Sequence, residues 1–118
     1  MTPQELFNRM KQHALRILRL VATFSKGQVG EVIGRQLIKS GTSVPANYRS
    51  VCAASSKPAF IHKLGIVAEE ADESVFWIDF AADAGLTKRE LVTGLIKEGQ
   101  EILAIVVQSR KTAKAGRK

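Results

Sequence analysis

Two pairs of carboxylates stand three residues apart, Glu70-x-x-Glu73 and Glu98-x-x-Glu101, and on a helix each pair would share a face. Carboxylates so placed hold di-iron centres in helical bundles, where two of the helices must also supply Glu-x-x-His to provide nitrogen ligands. The only histidines, His13 and His62, follow no glutamate at that offset, so no metal ligand set is read and no cofactor is expected. The single cysteine, Cys52, has no histidine near it in sequence and reads as a buried thiol rather than a nucleophile. Gly27, Gly30 and Gly34 do not reproduce G-x-G-x-x-G, and no strand precedes them to present a phosphate loop. Gly30-x-x-x-Gly34 instead suits the close approach of two helices. No nucleophile, base and orienting group assemble, and an enzyme is not expected.

The residues that remain are basic. Arg9, Gln12, Arg16 and Arg19 fall within about 80° of one another on a helix, opposite its apolar stripe. Arg35, Lys39, Thr42 and Arg49 form a similar face on the next helical segment. Guanidinium forks suit phosphate, so both stripes, with Lys111, Lys114, Arg117 and Lys118 behind them, are candidates for backbone binding to RNA or DNA without sequence readout. A solvated face is the competing account of the same residues. Seven aromatics, most at core positions, are too few for a platform that stacks single-stranded bases.

The elements that must position these groups all show the helical period. Leu6, Phe7, Met10, Ala14, Ile17, Leu18, Val21 and Phe24 mark the buried stripe of a first helix, opened by the capping box Thr2-Pro3-Gln4-Glu5. A second helix is predicted from about residue 29 to 54, with Val32, Ile33, Leu37, Val44 and Val51 inside. A third, from about 59 to 84, buries Ile61, Leu64, Ala68, Ala71, Val75 and Ile78 and stops at Gly85. Thr87-Lys88-Arg89-Glu90 reads as another capping box, opening a fourth helix to about Arg110 with Leu91, Leu95, Ile102, Ile105 and Val106 inside. Strand-type alternation is absent. Four long helices with short connections predict an all-α protein, an antiparallel up-down-up-down four-helix bundle over 1–110. Residues 111–118 are expected to form a flexible basic tail.

The second helix breaks its own rules at Ser40-Gly41-Thr42-Ser43-Val44-Pro45-Ala46-Asn47, where Pro45 should kink or break it. Ser40, Ser43 and Asn47 share one face, and Glu70, Glu73 and Trp77 share the same spacing on the third helix. A hairpin turning near residues 55–57 would set Ser43 opposite Glu70, Ser40 opposite Glu73 and Arg35 near Asp79. A polar seam is therefore expected there, hydroxyls, Asn47 and the Trp77 N–H meeting carboxylates.

Residues 35–54, with R-Q-L…S-G-T-S…A-N-Y-R, then Phe60–Val67, then Glu70-Ala71-Asp72-Glu73-Ser74-Val75-Phe76-Trp77, resemble a bacterial four-helix bundle family. The family is named after proteins encoded in intervening sequences of large-subunit ribosomal RNA genes. The resemblance runs through the second and third helices and more loosely the whole chain. It implies a bundle that often assembles into a ring-like homopentamer. A relative, the accessory protein of diversity-generating retroelements, binds nucleic acid and a reverse transcriptase, which implies both kinds of partner. The family's recurring positions fall on Arg35, Ser40, Ser43, Asn47, Arg49, Glu70, Glu73 and Trp77, and this chain departs from many relatives in having Pro45 rather than a small residue.

Length and charge bound the rest. A chain of 118 residues, 45% apolar and 25% charged, supports one core. One cysteine excludes an intrachain disulfide, no apolar run suits a membrane span, and the N-terminus lacks a signal-peptide pattern, so a cytoplasmic protein is expected. The net +7 divides into +8 over residues 1–63, −6 over 64–87 and +5 over 88–118. Two functions fit: an oligomeric bundle that binds nucleic acid through basic faces, or a protein-interaction scaffold whose charge blocks serve assembly.

Overall fold

Thr2 fixes where the first helix starts. Its Oγ1 accepts from the Glu5 N–H at 3.1 Å while Glu5 Oε1 accepts from the Thr2 N–H at 2.7 Å, with Pro3 at the first helical position. The structure, a computed structural model, describes residues 1–116. It contains four helices: α1 (Pro3–Ala22), α2 (Gln28–Cys52), α3 (Lys57–Asp83) and α4 (Arg89–Lys114). Ser56 caps α3 by accepting from the Ala59 N–H. Gly85, at φ +78°, ends it in a left-handed position, where the Leu86 N–H reaches Ala81 O and the Gly85 N–H reaches Ala82 O.

The helices form a ring in which α1 packs on α2, α2 on α3, α3 on α4 and α4 on α1, giving an antiparallel up-down-up-down four-helix bundle of 47 × 22 × 20 Å. The α1–α4 seam is the sparsest of the four. Two apolar clusters fill the centre. One is built on Met10, Val44, Leu64, Val67, Ile102 and Val106, the other on Ile17, Ile33, Leu37, Ile78, Val92 and Leu95. No helix of the described residues is long and apolar enough to cross a membrane.

Glycine sets the α1–α2 distance. A β-carbon on Gly30 would stand 2.6 Å from Ser25 O, one on Gly34 2.9 Å from Val21 Cγ1, and one on Gly41 2.9 Å from the fully buried Ile17. Packed between α1 and α3, α2 runs through Pro45 as one helix, so the chain does not break there.

Other expectations are corrected. Val32 and Leu91 are 46% and 71% exposed, and Val92 takes the inward place expected for Leu91, which stands in the uncovered first turn of α4. Cys52 is exposed in the last turn of α2. Thr87 caps nothing: the chain enters α4 through Lys88 without a side-chain cap, and Arg89 turns back to bind Asp79 and Asp83 of α3 at 2.7 Å each. At the other end α4 continues past Arg110 to Lys114, because Ala113 still faces inward and is buried. Lys111 and Lys114 therefore lie on a helix rather than in a tail, and Arg117 and Lys118 lie outside the described residues.

Gly30→Ala should lower stability by about 1–3 kcal/mol, since its β-carbon meets backbone that cannot yield locally. Gly94→Ala on exposed α4 surface, where the nearest atom is an arginine tip at 3.9 Å, should raise it by up to about 1 kcal/mol through helix propensity. Chemical denaturation of the two variants checks the contrast.

Candidate nucleic-acid interface

The candidate basic residues separate into those held by carboxylates and those that are not. Arg9 belongs to the first group. Its Nε donates to Glu98 Oε2 at 2.8 Å and its Nη2 to Glu98 Oε1 at 2.7 Å and Glu101 Oε1 at 2.9 Å. These hydrogen bonds hold the Glu98 carboxyl below its usual range and the guanidinium above its own. Arg9 thus closes α1 onto α4 and is withdrawn from the set of nucleic-acid contacts. Glu98-x-x-Glu101 acts as an arginine receiver.

One turn along α1, His13 is buried and its Nε2 lies 2.8 Å from Leu95 O, a contact that requires the Nε2–H tautomer. Gly99 makes the approach feasible, since a β-carbon there would lie 3.2 Å from the imidazole. Burial pushes the His13 pKa down, the Leu95 hydrogen bond opposes that, and Arg16 adds to it. This pair of polar contacts was not foreseen from the sequence. The available signal was Arg9-x-x-x-His13 on the α4 side of α1, with Glu98, Glu101 and a glycine between them on α4.

The expected seam between α2 and α3 does not form. Ser40 donates within its own helix to Leu37 O at 3.4 Å, Asn47 to Ser43 O at 2.8 Å and Ser74 to Glu70 O at 2.9 Å. Glu73 is exposed, and the buried Trp77 Nε1 has no acceptor. Helical hydroxyls and amides are satisfied by the preceding turn, which removes any need to bury a carboxylate beside them. Glu70 is half-buried, and its pKa is raised by burial and then by Glu73, against the attraction of Lys39. Asp79 pairs with Arg89 and not with Arg35.

Arg16, Arg19, Arg35, Lys39 and Arg49 are exposed and, among the described residues, in no ion pair. They do not merge into one surface. Arg16 leans toward α4, its Nη2 3.9 Å from where a β-carbon on Gly94 would be. Arg35 and Lys39 instead flank a groove of about 640 Å³ between α2 and the end of α1, floored by Val21, Phe24 and Ile38. Lys111 and Lys114 are exposed on the last turns of α4. On α3, Phe76 and Phe80 are 52% and 42% exposed; their ring centroids lie 4.9 and 5.8 Å from that of Trp77 and 5.7 Å from each other. Among the described residues, no three His, Cys, Asp or Glu side chains gather in an arrangement that would hold a metal.

Residues 3–108 match the profile of a family described as 23S rRNA-intervening sequence protein. The chain is also similar to a solved structure from Bacteroides thetaiotaomicron VPI-5482, a protein of unknown function from the S23 ribosomal protein family. The two share 28% identity and a TM-score of 0.86 over 95% of this chain and all of the other. The search of curated proteins finds no match.

Both polar groups of the α1–α4 seam make the fold acid-sensitive. His13 and Glu98 have depressed pKa values in the fold, so their contributions are full above their unfolded values, about 6.5 and 4.3, and are lost as pH falls below them. His13→Gln should remove the stability loss between pH 7.5 and 5.5 while keeping the one below pH 4.5. Arg9→Met should lower stability at pH 7 by about 1–3 kcal/mol. Denaturation midpoints across pH check both variants.

Proposed function

The chain belongs to the 23S rRNA-intervening sequence protein family, and on that premise we propose that it is a non-enzymatic, self-assembling four-helix bundle that binds nucleic acid by its phosphate backbone, RNA or a ribonucleoprotein foremost. The observation that carries this reading is the sorting of the arginines. Glu98, Glu101, Asp79 and Asp83 take Arg9 and Arg89, whereas Arg16, Arg19, Arg35 and Arg49 stand in solvent with no carboxylate bound to them among the described residues. Cations of that kind, presented on rigid helices, give affinity without base readout. The S23 ribosomal protein family of the similar solved structure favours RNA over DNA.

Self-assembly rests on the α3 aromatics. Phe76 and Phe80 expose large apolar rings side by side on α3. A second copy of the chain covering this face would bury the rings, and the resemblance noted above favours a ring of five. The same face favours the second reading, a scaffold that docks a protein partner such as a reverse transcriptase and has no role for nucleic acid.

Duplex RNA and duplex DNA of unrelated sequence should both bind the pure protein. Affinity should fall more than about tenfold between 50 and 200 mM salt, the slope of two or more contacted phosphates. No binding at 50 mM salt would end the nucleic-acid reading and leave the scaffold. Light scattering should give a mass several times 12.9 kDa that Phe76→Ser with Phe80→Ser reduces to the monomer. A monomer before substitution would refute self-assembly.

A further inference from the structure

The C-terminal end of α4 meets the N-terminal end of α3, and three cations of α4 line a groove there, with Lys57 at the start of α3. Arg110 reaches across from α4, donating from Nε to Ile61 O at 3.0 Å. Its guanidinium lies flat over Gly65, with Nε, Cζ and Nη2 at 3.1–3.2 Å from where a β-carbon would stand, so any other residue at 65 would have to displace it. Lys111 and Lys114 follow on the next turn of α4 and, with Arg110, flank a groove of about 380 Å³ between α3 and α4, floored by Gly65 and Val107. Lys57 approaches from α3, its Nζ 3.8 Å from where a β-carbon on Gly116 would lie. Glu69, exposed on the rim, is the one carboxylate lining the groove, and among the described residues none of the four cations is ion-paired.

Helix electrostatics accounts for only part of this cluster. Lys111 and Lys114 lie where the α4 dipole favours positive charge. Lys57, however, is the first residue of α3, where the dipole disfavours a cation, and no acidic residue in that first turn offsets it. Arg110 keeps its Nη edge beyond the bond to Ile61, and that edge is the fork that matches phosphate oxygens.

We propose that this α3–α4 groove is the protein's phosphate anchor, taking successive phosphates of a nucleic-acid backbone. The proposal rests on the nucleic-acid reading above and locates it: Arg110 positions one phosphate, Lys111 and Lys114 neutralise its neighbours, and Lys57 closes the site from α3. The stripes on α1 and α2 add field and not anchoring.

The test uses the full chain and a 20-base-pair DNA duplex of arbitrary sequence, with affinity measured across salt. Lys111→Gln with Lys114→Gln should lower affinity about tenfold at 50 mM salt and reduce the log–log salt slope by nearly two. Arg35→Gln with Lys39→Gln removes the same charge from a stripe that supplies field alone, so affinity should fall by a smaller factor, about threefold. Arg110→Lys retains the charge and loses the fork, so affinity should drop severalfold with the slope unchanged. If Arg110→Lys proves unfolded by circular dichroism, the lysine pair decides, since both side chains are exposed. An unchanged slope in the Lys111/Lys114 variant, with a reduced one in the Arg35/Lys39 variant, overturns the anchor and leaves the nucleic-acid reading standing. Absence of wild-type binding at 50 mM salt overturns both.

Discussion

The bundle closes where α1 meets α4, and it closes there with polar groups. Three of the four seams are filled by apolar side chains, with glycines letting α2 lie against α1. The fourth has fewer contacts and relies on Arg9 bound to Glu98 and Glu101 and on His13 against Leu95 O. Glu98 and Glu101 both reach the Arg9 guanidinium, so Arg9 is committed to the seam and is not available for other duties. At the N-terminal end of α4 the exposed Asp79 and Asp83 take up Arg89 in the same way. Closing the ring therefore decides which cations the fold takes up and which it leaves for a partner.

The four helices were legible because each carries a sustained apolar period and the loops are short. Local chemistry was legible where it is self-contained, as in the Thr2–Glu5 capping box and the stop at Gly85. The errors arose where tertiary context overrides a local pattern. Leu91 and Val32 match the period yet stand where no neighbouring helix covers them, and Cys52 does the same at the end of α2. Thr87 has the spacing of a cap, but the pull of Asp79 and Asp83 on Arg89 sets how α4 begins.

The polar seam was expected on the wrong pair of helices. Ser40, Ser43, Asn47, Glu70 and Glu73 share faces in the way that was read, but helical hydroxyls and amides find acceptors one turn back. Arg9 and Glu98 stand 89 residues apart and share no local pattern, so their pairing depends on the register between α1 and α4. Among the nucleic-acid candidates, Arg16, Arg19, Arg35, Lys39, Arg49, Lys111 and Lys114 are all exposed as that role requires. Arg110, Lys57 and Gly65 were not among them, because only the α3–α4 packing brings them together.

The net charge of +7 describes no surface that a partner would meet. The molecule is 47 Å long, several times the roughly 8 Å over which physiological salt screens charge, so its ends act separately. Lys57, Arg110, Lys111 and Lys114 gather at one end with Glu69 as the one acid beside them, while the acids of residues 70–83 lie farther along α3. The most direct test is an amide NMR titration of the protein with a short duplex at 50 mM salt. The account predicts shift changes concentrated in residues 57–65 and 107–114 that reverse on raising the salt. Changes confined to Arg9–Arg19, or no changes at all, would contradict it.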